Sequence, residues 1–232
     1  MSEKALVLFS GGMDSTALLY HAADLYGAYN VSALSFKYGS KHNDAESSAA
    51  FKIAKHIGIE RQVIVLDGLT PHLQSNLLLH GGDIPEGHYS SANMSKTVVP
   101  FRNGIMLSIA AGIAQSRGCR HLLIANHSGD HAIYPDCRGE FIKDMAAAIF
   151  AGTDGAVELQ APFTDIRKED IITRVPKAPW HLTYSCYKGG TVHCGRCGTC
   201  FERREAFQIA GVDDPTEYLD NTPLDQIKKE TE

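Results

Sequence analysis

The sequence predicts an α/β fold built on a parallel sheet, with a small cysteine-rich module at its C-terminal end. Three observations carry this expectation. Short apolar runs alternate with helical stretches of ten or more residues, the rhythm of successive βαβ units. The first run, Ala5-Leu6-Val7-Leu8-Phe9, ends on Ser10-Gly11-Gly12-Met13-Asp14-Ser15, a glycine corner leading from strand into helix. Four of the six cysteines, Cys186, Cys194, Cys197 and Cys200, cluster near the end.

The elements follow in order. Asp14 or Ser15 is placed to cap a helix that continues through Thr16, Leu18, Leu19 and Leu25. Val31 to Phe36 reads as the second strand, with a turn at Lys37-Tyr38-Gly39. A helix from about Asp44 to His56 follows, with Ala45, Ala49, Ile53 and Ile57 on its buried stripe. Arg61 to Leu66 is the third strand. From Gly68 to Val99 periodicity fades, as expected of a lid or a partly disordered loop, and its His72, His80 and His88 match no ligand spacing. Pro100-Phe101-Arg102-Asn103 introduces an apolar helix over about Gly104 to Gln115. His121 to Ala125 and Val157 to Pro162 read as strands flanking a helix from about Gly139 to Phe150. A helix from Lys168 stops at Pro176. The division expected is an α/β domain over 1–175 with a four-cysteine zinc-binding module over 176–232 packed on it.

With 232 residues, 44% hydrophobic and 21% charged, the composition is that of an ordinary globular enzyme. A net charge of −5 argues against nucleic acid bound chiefly by electrostatics. Met1-Ser2-Glu3-Lys4 leads straight toward a strand, and no apolar stretch reads as a membrane span, so a cytoplasmic location is expected.

The glycine corner has a chemistry. Gly11 and Gly12 let backbone N–H groups approach a ligand, and a helix N-terminus favours an anion, so a phosphate is the natural guest. The hexapeptide resembles the pyrophosphate-binding loop of the N-type ATP-pyrophosphatase superfamily. It is not a Walker A loop, because the Gly-Lys-Ser/Thr is absent.

The cysteines have another. The spacing Cys186-x7-Cys194-x2-Cys197-x2-Cys200, with Gly195 and Gly198 between ligands, suits four thiolates around one tetrahedral zinc ion. Three cysteines in a C-x2-C-x2-C run also suit an iron–sulfur cluster, although nothing nearby suggests redox chemistry. Four thiolates leave no open position, so the site reads as structural. His193, next to Cys194, is the rival ligand and is expected to point elsewhere. Cys119 reads as a buried residue at a helix end, and Cys137, inside a polar motif, as a residue near substrate rather than a nucleophile.

Several motifs stand in one family's order: Ser10–Ser15, Pro100-x-Arg102-Asn103, Tyr134-Pro135-Asp136-Cys137-Arg138, Ser185-Cys186-Tyr187, and the cysteines followed by Arg203 and Ala206-Phe207. From Ala5 to about Phe207 the chain resembles the 7-cyano-7-deazaguanine synthases. That resemblance implies a Rossmann-like, adenine nucleotide alpha hydrolase-like fold and an ATP-dependent carbon–nitrogen ligase with Mg²⁺ and structural Zn²⁺. It would convert 7-carboxy-7-deazaguanine and ammonia to the nitrile, through an adenylated acid and an amide, as a homodimer that binds neither membrane nor, by expectation, nucleic acid.

Within that scheme Phe9, Ser10, Gly11, Gly12, Met13, Asp14, Ser15 and Thr16 would bind ATP, with Asp14 a partner for Mg²⁺. Ser10, Asp14, Ser15 and the cations Lys41 and Arg102 would act in catalysis, and Asp130, Tyr134, Asp136 and Arg138 would hold substrate. Asp130 or Asp136 would face the guanine-like edge, and Arg138 the carboxylate. The chain departs from the family's usual Gly-Gln-Arg-His with Gly39-Ser40-Lys41-His42. It also has Val175 to Trp180 in place of a longer helix, and Tyr184 where Trp is common. Such changes suit a paralogue that stops at the amide or uses another amine. A tRNA-thiolating ATP-pyrophosphatase and a zinc-ribbon nucleic-acid module are the more distant readings, and both need the basic surface that the net charge argues against.

Overall fold

The short apolar runs pair side by side, and the central ones bury both faces. The computed structural model describes residues 3–231, so Met1 and Ser2 lie outside the described residues. Five parallel strands stand in the order β3-β2-β1-β4-β5: β1 Ala5–Leu8, β2 Val31–Lys37, β3 Glu60–Val65, β4 His121–Leu123 and β5 Glu158–Gln160. Val7 lies opposite Ala33 on one side and Leu123 on the other, so β1 is central. The last two strands are shorter than the apolar runs that announced them.

Helices α1 Met13–Tyr26, α2 Asn43–Ile57, α3 Arg102–Ser116, α4 Gly139–Gly152 and α5 Lys168–Arg174 connect and flank the strands. Alternation along the sheet separates two cores. Val7 and Ala33 face Leu18, Leu19, Ile53 and Ile171 on the α1, α2 and α5 side, whereas Leu6, Leu34 and Leu122 face Leu107, Ala110 and Ile149 of α3 and α4. Neither Asp14 nor Ser15 caps α1. The cap position is Gly12, because the sharp corner puts both side chains inside the first turn. On α2 the buried stripe is Ala49, Ala50, Ile53 and Ala54, with Ala45 and Ile57 only partly covered at its margins.

The 25-residue stretch Ala92–Ser116 has the length and hydropathy of a membrane span, yet it is not one straight helix. A 3-10 turn at Ala92–Thr97 ends before Phe101, which takes a left-handed φ of 52°, and α3 begins only at Arg102. Its 15 residues rise about 22 Å, short of a hydrocarbon core of about 30 Å.

The segment from Gly68 to Val99 is packed rather than loose. Leu77 and Leu78 are fully buried in a third core with Tyr38, Ala49, Cys186, Cys197 and Cys200. Its histidines go separate ways: His80 bonds the Leu73 carbonyl at 3.0 Å, and His88 reaches Ser90 Oγ at 2.7 Å and lies edge-on to Phe201.

Helices α6 Gly198–Ala210 and α7 Leu224–Thr231 complete the chain. Trp180, Ala206 and Phe207 belong to the same core as β1 and α1, so the C-terminal segment shares its apolar interior with the sheet. Arg203, fully buried, ties that segment together by donating to Thr183 Oγ1 (2.7 Å), Trp180 O (2.9 Å), Ser185 Oγ (3.2 Å) and Thr216 Oγ1 (2.7 Å). A shared core predicts shared unfolding. Phe207→Ala should cost about 3–5 kcal/mol, read as a lowered denaturant midpoint in one transition, whereas two resolved transitions would show an independent C-terminal unit.

Candidate active site and metal centre

The carboxyl ends of β1, β2 and β4 open onto a cavity of about 220 Å³. It lies where the strand order reverses beside β1, the place where open parallel sheets bind ligands. Leu8, Leu34, Phe36, Met106 and Ile124 form its apolar floor, and the Ser10–Ser15 loop forms one wall. Gly11 has φ +93°, and a Cβ there would stand 2.6 Å from Ala50 N and 2.7 Å from Glu46 O. Only glycine permits that approach to α2. From the other side the Tyr184 amide donates to Gly11 O at 2.9 Å. The first helical bond of the corner runs from Thr16 N to Gly12 O, so the Met13, Asp14 and Ser15 N–H groups precede the ladder and remain for a ligand. Ser10 Oγ and Ser15 Oγ lie 3.1 Å apart, and Gly12 N donates to Ser10 Oγ at 3.1 Å.

Beside the loop stands a buried charged group. Lys168 Nζ meets Asp14 Oδ2 at 3.2 Å and Glu202 Oε2 at 2.5 Å. Burial pushes the Asp14 carboxyl up, but Lys168 and His127 outweigh it and hold the carboxyl below its ordinary range. Burial alone lowers Lys168, and Asp14 and Glu202 raise it above the ordinary lysine range, so it stays charged. His127 Nδ1 accepts from Gly129 N at 3.1 Å. Nε2 therefore carries the proton and faces Asp130 Oδ1 (3.6 Å), Glu202 Oε1 (3.7 Å) and Asp14 Oδ2 (3.8 Å). Asp14 Oδ1 is buried with no hydrogen-bond partner, which leaves a place for a donor or a cation.

The opposite wall carries the aromatics and a second cation. Arg102 Nη1 donates to Tyr38 OH at 3.2 Å, and its guanidinium lies 5.8 Å from that ring's centre. Tyr134 OH pairs with Thr97 Oγ1 (2.8 Å) and Tyr187 OH (3.3 Å), while Tyr89 OH donates to Asp130 Oδ1 at 2.9 Å. Burial, then Arg102, lowers His42 to about 3, so its imidazole is neutral. Burial pushes Glu46 up to about 8, partly countered by Arg102. Burial, with Asp130 and Asp136 nearby, raises the Cys137 thiol well above its ordinary value, which removes the thiolate a nucleophile needs.

The residues expected from sequence divide. Phe9, Ser10, Gly12, Met13, Asp14, Ser15, Arg102, Asp130 and Tyr134 line the cavity, with Gly11 and the fully buried Thr16 behind the loop. Three are not brought there. Lys41 Nζ donates to the carbonyls of Gly81 (3.2 Å) and Gly82 (2.5 Å). Asp136 Oδ2 accepts from Asn103 N at 2.8 Å, binding the N-terminus of α3. Arg138 is exposed and donates to His131 O at 3.0 Å. In their place stand Lys168, Glu46, His42, Tyr89 and Tyr187. Only Tyr187, inside a motif carrying the family resemblance, and His42, in the stretch that departs from the family's usual pattern, had a sequence signal, because nothing local marks a lysine on a separate helix.

The cysteines converge. All four sulfurs lie within 4.8 Å of one another, with Cys194–Cys200 at 3.9 Å and Cys186–Cys197 at 4.0 Å. Bonds of about 2.3 Å to one tetrahedral ion place sulfurs about 3.8 Å apart, so the set fits a single metal ion. The Cys197 and Arg196 amides donate to Cys194 Sγ at 3.3 and 3.4 Å. His193 takes no part: its Nε2 accepts from Ser185 N at 3.0 Å, and its ring packs on Tyr184. Cys119 is buried beside the end of α3, as expected.

Several known proteins resemble this chain. A family model described as queuosine biosynthesis protein QueC matches residues 4–211. A 7-cyano-7-deazaguanine synthase of Porphyromonas gingivalis is 54% identical over 217 residues, 92% of this chain and 96% of that protein. One from Desulfotalea psychrophila is 46% identical, covering 93% and 98%. The U34-tRNA thiolase NcsA from Methanococcus maripaludis with its [4Fe-4S] cluster matches at a TM-score of 0.45 and 14% identity, over 90% of this chain and 65% of that one.

Cys197→Ser should lose bound metal and lower the melting temperature together, read by metal analysis and calorimetry; full stability without metal would contradict a structural centre. A carboxyl raised from 4.5 to about 8 contributes stability that is complete below 4.5 and lost as pH rises through about 8. Glu46→Gln should therefore gain melting temperature over the parent more near pH 9 than near pH 5.

Proposed function

The chain belongs to the family of the queuosine biosynthesis protein QueC, and from that membership we propose that it catalyses 7-cyano-7-deazaguanine synthesis from 7-carboxy-7-deazaguanine, ammonia and ATP. The observation that carries this reading is the Ser10–Ser15 corner opening on the same cavity as Arg102 and the tyrosine wall.

The chemistry needs a carboxylate activated by transfer of AMP, with pyrophosphate leaving. The free N–H groups of Met13, Asp14 and Ser15, the Ser10 and Ser15 hydroxyls and the Lys168 ammonium are placed to take the leaving pyrophosphate, where a fixed positive field lowers the barrier. Asp14, with its unpartnered Oδ1, is the residue to hold Mg²⁺, which when bound neutralises phosphate charge. The adenine has the apolar floor of Leu8, Leu34, Phe36 and Met106. Arg102, across the cavity, faces the acid. Ammonia then displaces AMP to give the amide. A second adenylation on the amide oxygen and loss of AMP and two N–H protons leave the nitrile.

The four-cysteine site is read as a structural Zn²⁺ centre, supported by its closed set of four thiolates. We take the enzyme to work as a homodimer in the cytoplasm, on small molecules rather than nucleic acid, a reading supported by the family resemblance and the net charge of −5.

Incubation with 7-carboxy-7-deazaguanine, ATP, Mg²⁺ and ammonium should give acid-dependent AMP and the mass of the nitrile. No acid-dependent AMP would overturn the reading, and an amide that never becomes nitrile would identify a paralogue. Lys168→Met should cut this turnover at least about 100-fold, as loss of one preorganised charge does elsewhere.

A further inference from the structure

The cavity must recognise a deazaguanine, whose pairing edge presents an acceptor oxygen at C6 and donors at N1 and on the 2-amino group. A carboxylate takes both donors at once. Three carboxylates line the cavity: Asp14, Asp130 and Glu46. Asp14 is engaged by Lys168 at 3.2 Å. Both Asp130 oxygens are engaged, Oδ1 by Tyr89 OH at 2.9 Å and Oδ2 by His127 N at 3.2 Å. Asp136, the other candidate from sequence, is spent on Asn103 N at 2.8 Å.

Glu46 differs. His42 Nε2 stands 3.7 Å from its Oε2, beyond hydrogen-bond reach, and that imidazole is neutral. Desolvation in the cavity raises its pKa to about 8, partly countered by Arg102. The half-buried carboxyl lines the cavity with no protein donor on it, so its oxygens remain for a ligand bearing two N–H groups. Its backbone packs against the phosphate loop: Glu46 O is one of the atoms that a Cβ on Gly11 would strike, at 2.7 Å. Arg102 is close enough to act on its charge. Of the five guanidinium N–H donors, one bonds Tyr38 OH at 3.2 Å. The C6 oxygen and the C7 carboxylate of the acid project on the same side of the ring system, both as acceptors, which matches what Arg102 has left to give.

We propose that Glu46 is the specificity-determining residue for the purine-like substrate, accepting the N1–H and 2-amino protons while Arg102 donates to the C6 oxygen and the adjoining 7-carboxylate. This rests on the deazaguanine reading above. It assigns the base edge to α2 rather than to the Asp130 and Asp136 loop.

The test compares binding of 7-carboxy-7-deazaguanine with the analogue lacking the 2-amino group, by calorimetry on the metal-loaded protein. The parent should prefer the guanine acid by about 10- to 100-fold, the equivalent of a hydrogen bond to a charged group. Glu46→Gln should reduce that preference to about threefold or less and leave ATP affinity unchanged, and Glu46→Asp should keep part of it. Retained preference in Glu46→Gln, or equal loss of ATP and acid affinity, would overturn the assignment. Acid-dependent AMP release by the parent in the same series separates the two claims: with it present and the preference unmoved, only the Glu46 assignment falls. A parent that neither binds the acid nor releases AMP with it overturns both.

Discussion

The left-handed backbone of Gly11 is the constraint on which the rest depends. Bare N–H groups can face the cavity only if the chain turns within two residues of β1, and the turn presses Gly11 against Ala50 N and Glu46 O. One bond from the far end of the chain, Tyr184 N to Gly11 O at 2.9 Å, holds the turn from behind. Tyr184 lies between two anchors, the buried Arg203 network on Thr183 and Ser185 and the metal ligand Cys186. A metal held by the four cysteines would thus fix the chain behind the Ser10–Ser15 loop. This link couples the cavity loop to the four-cysteine cluster through the backbone.

The cavity divides its charges by wall. Asp14 and Lys168 neutralise each other beside the loop, at the expense of strong desolvation of both. Across the floor, Arg102 and Glu46 line the cavity without a salt bridge to each other, and His42, 3.7 Å from Glu46, stays neutral. A carboxyl whose pKa is raised to about 8 is largely neutral in the resting protein, and such perturbed groups cluster at active sites. The first wall suits a phosphate and its cation; the second suits a planar acid with an amide-like edge.

Much of this was legible beforehand. The Ser10–Ser15 corner, the strands before and after it and the four cysteines are local patterns, and each stands where expected. Arg102 and Tyr134 were found by motif and do line the cavity. Lys41, Asp136 and Arg138 were equally good candidates by residue type, and each is satisfied by a backbone group nearby instead: two loop carbonyls, a helix N-terminus and a turn carbonyl. Conversely Lys168 and Glu46 sit on helices with no motif around them, and only the fold carries them to the phosphate loop.

By itself the sequence determined the parallel α/β class, the glycine corner after β1 and the four-cysteine cluster, because periodicity and turn chemistry act over a few residues and bring their own groups together. The tertiary structure alone decided which charged side chains face the cavity. Whether a carboxylate is a ligand or a cap depends on which donor reaches it first, and those donors come from elements distant in sequence: Asn103 for Asp136, Lys168 for Asp14, and none for Glu46.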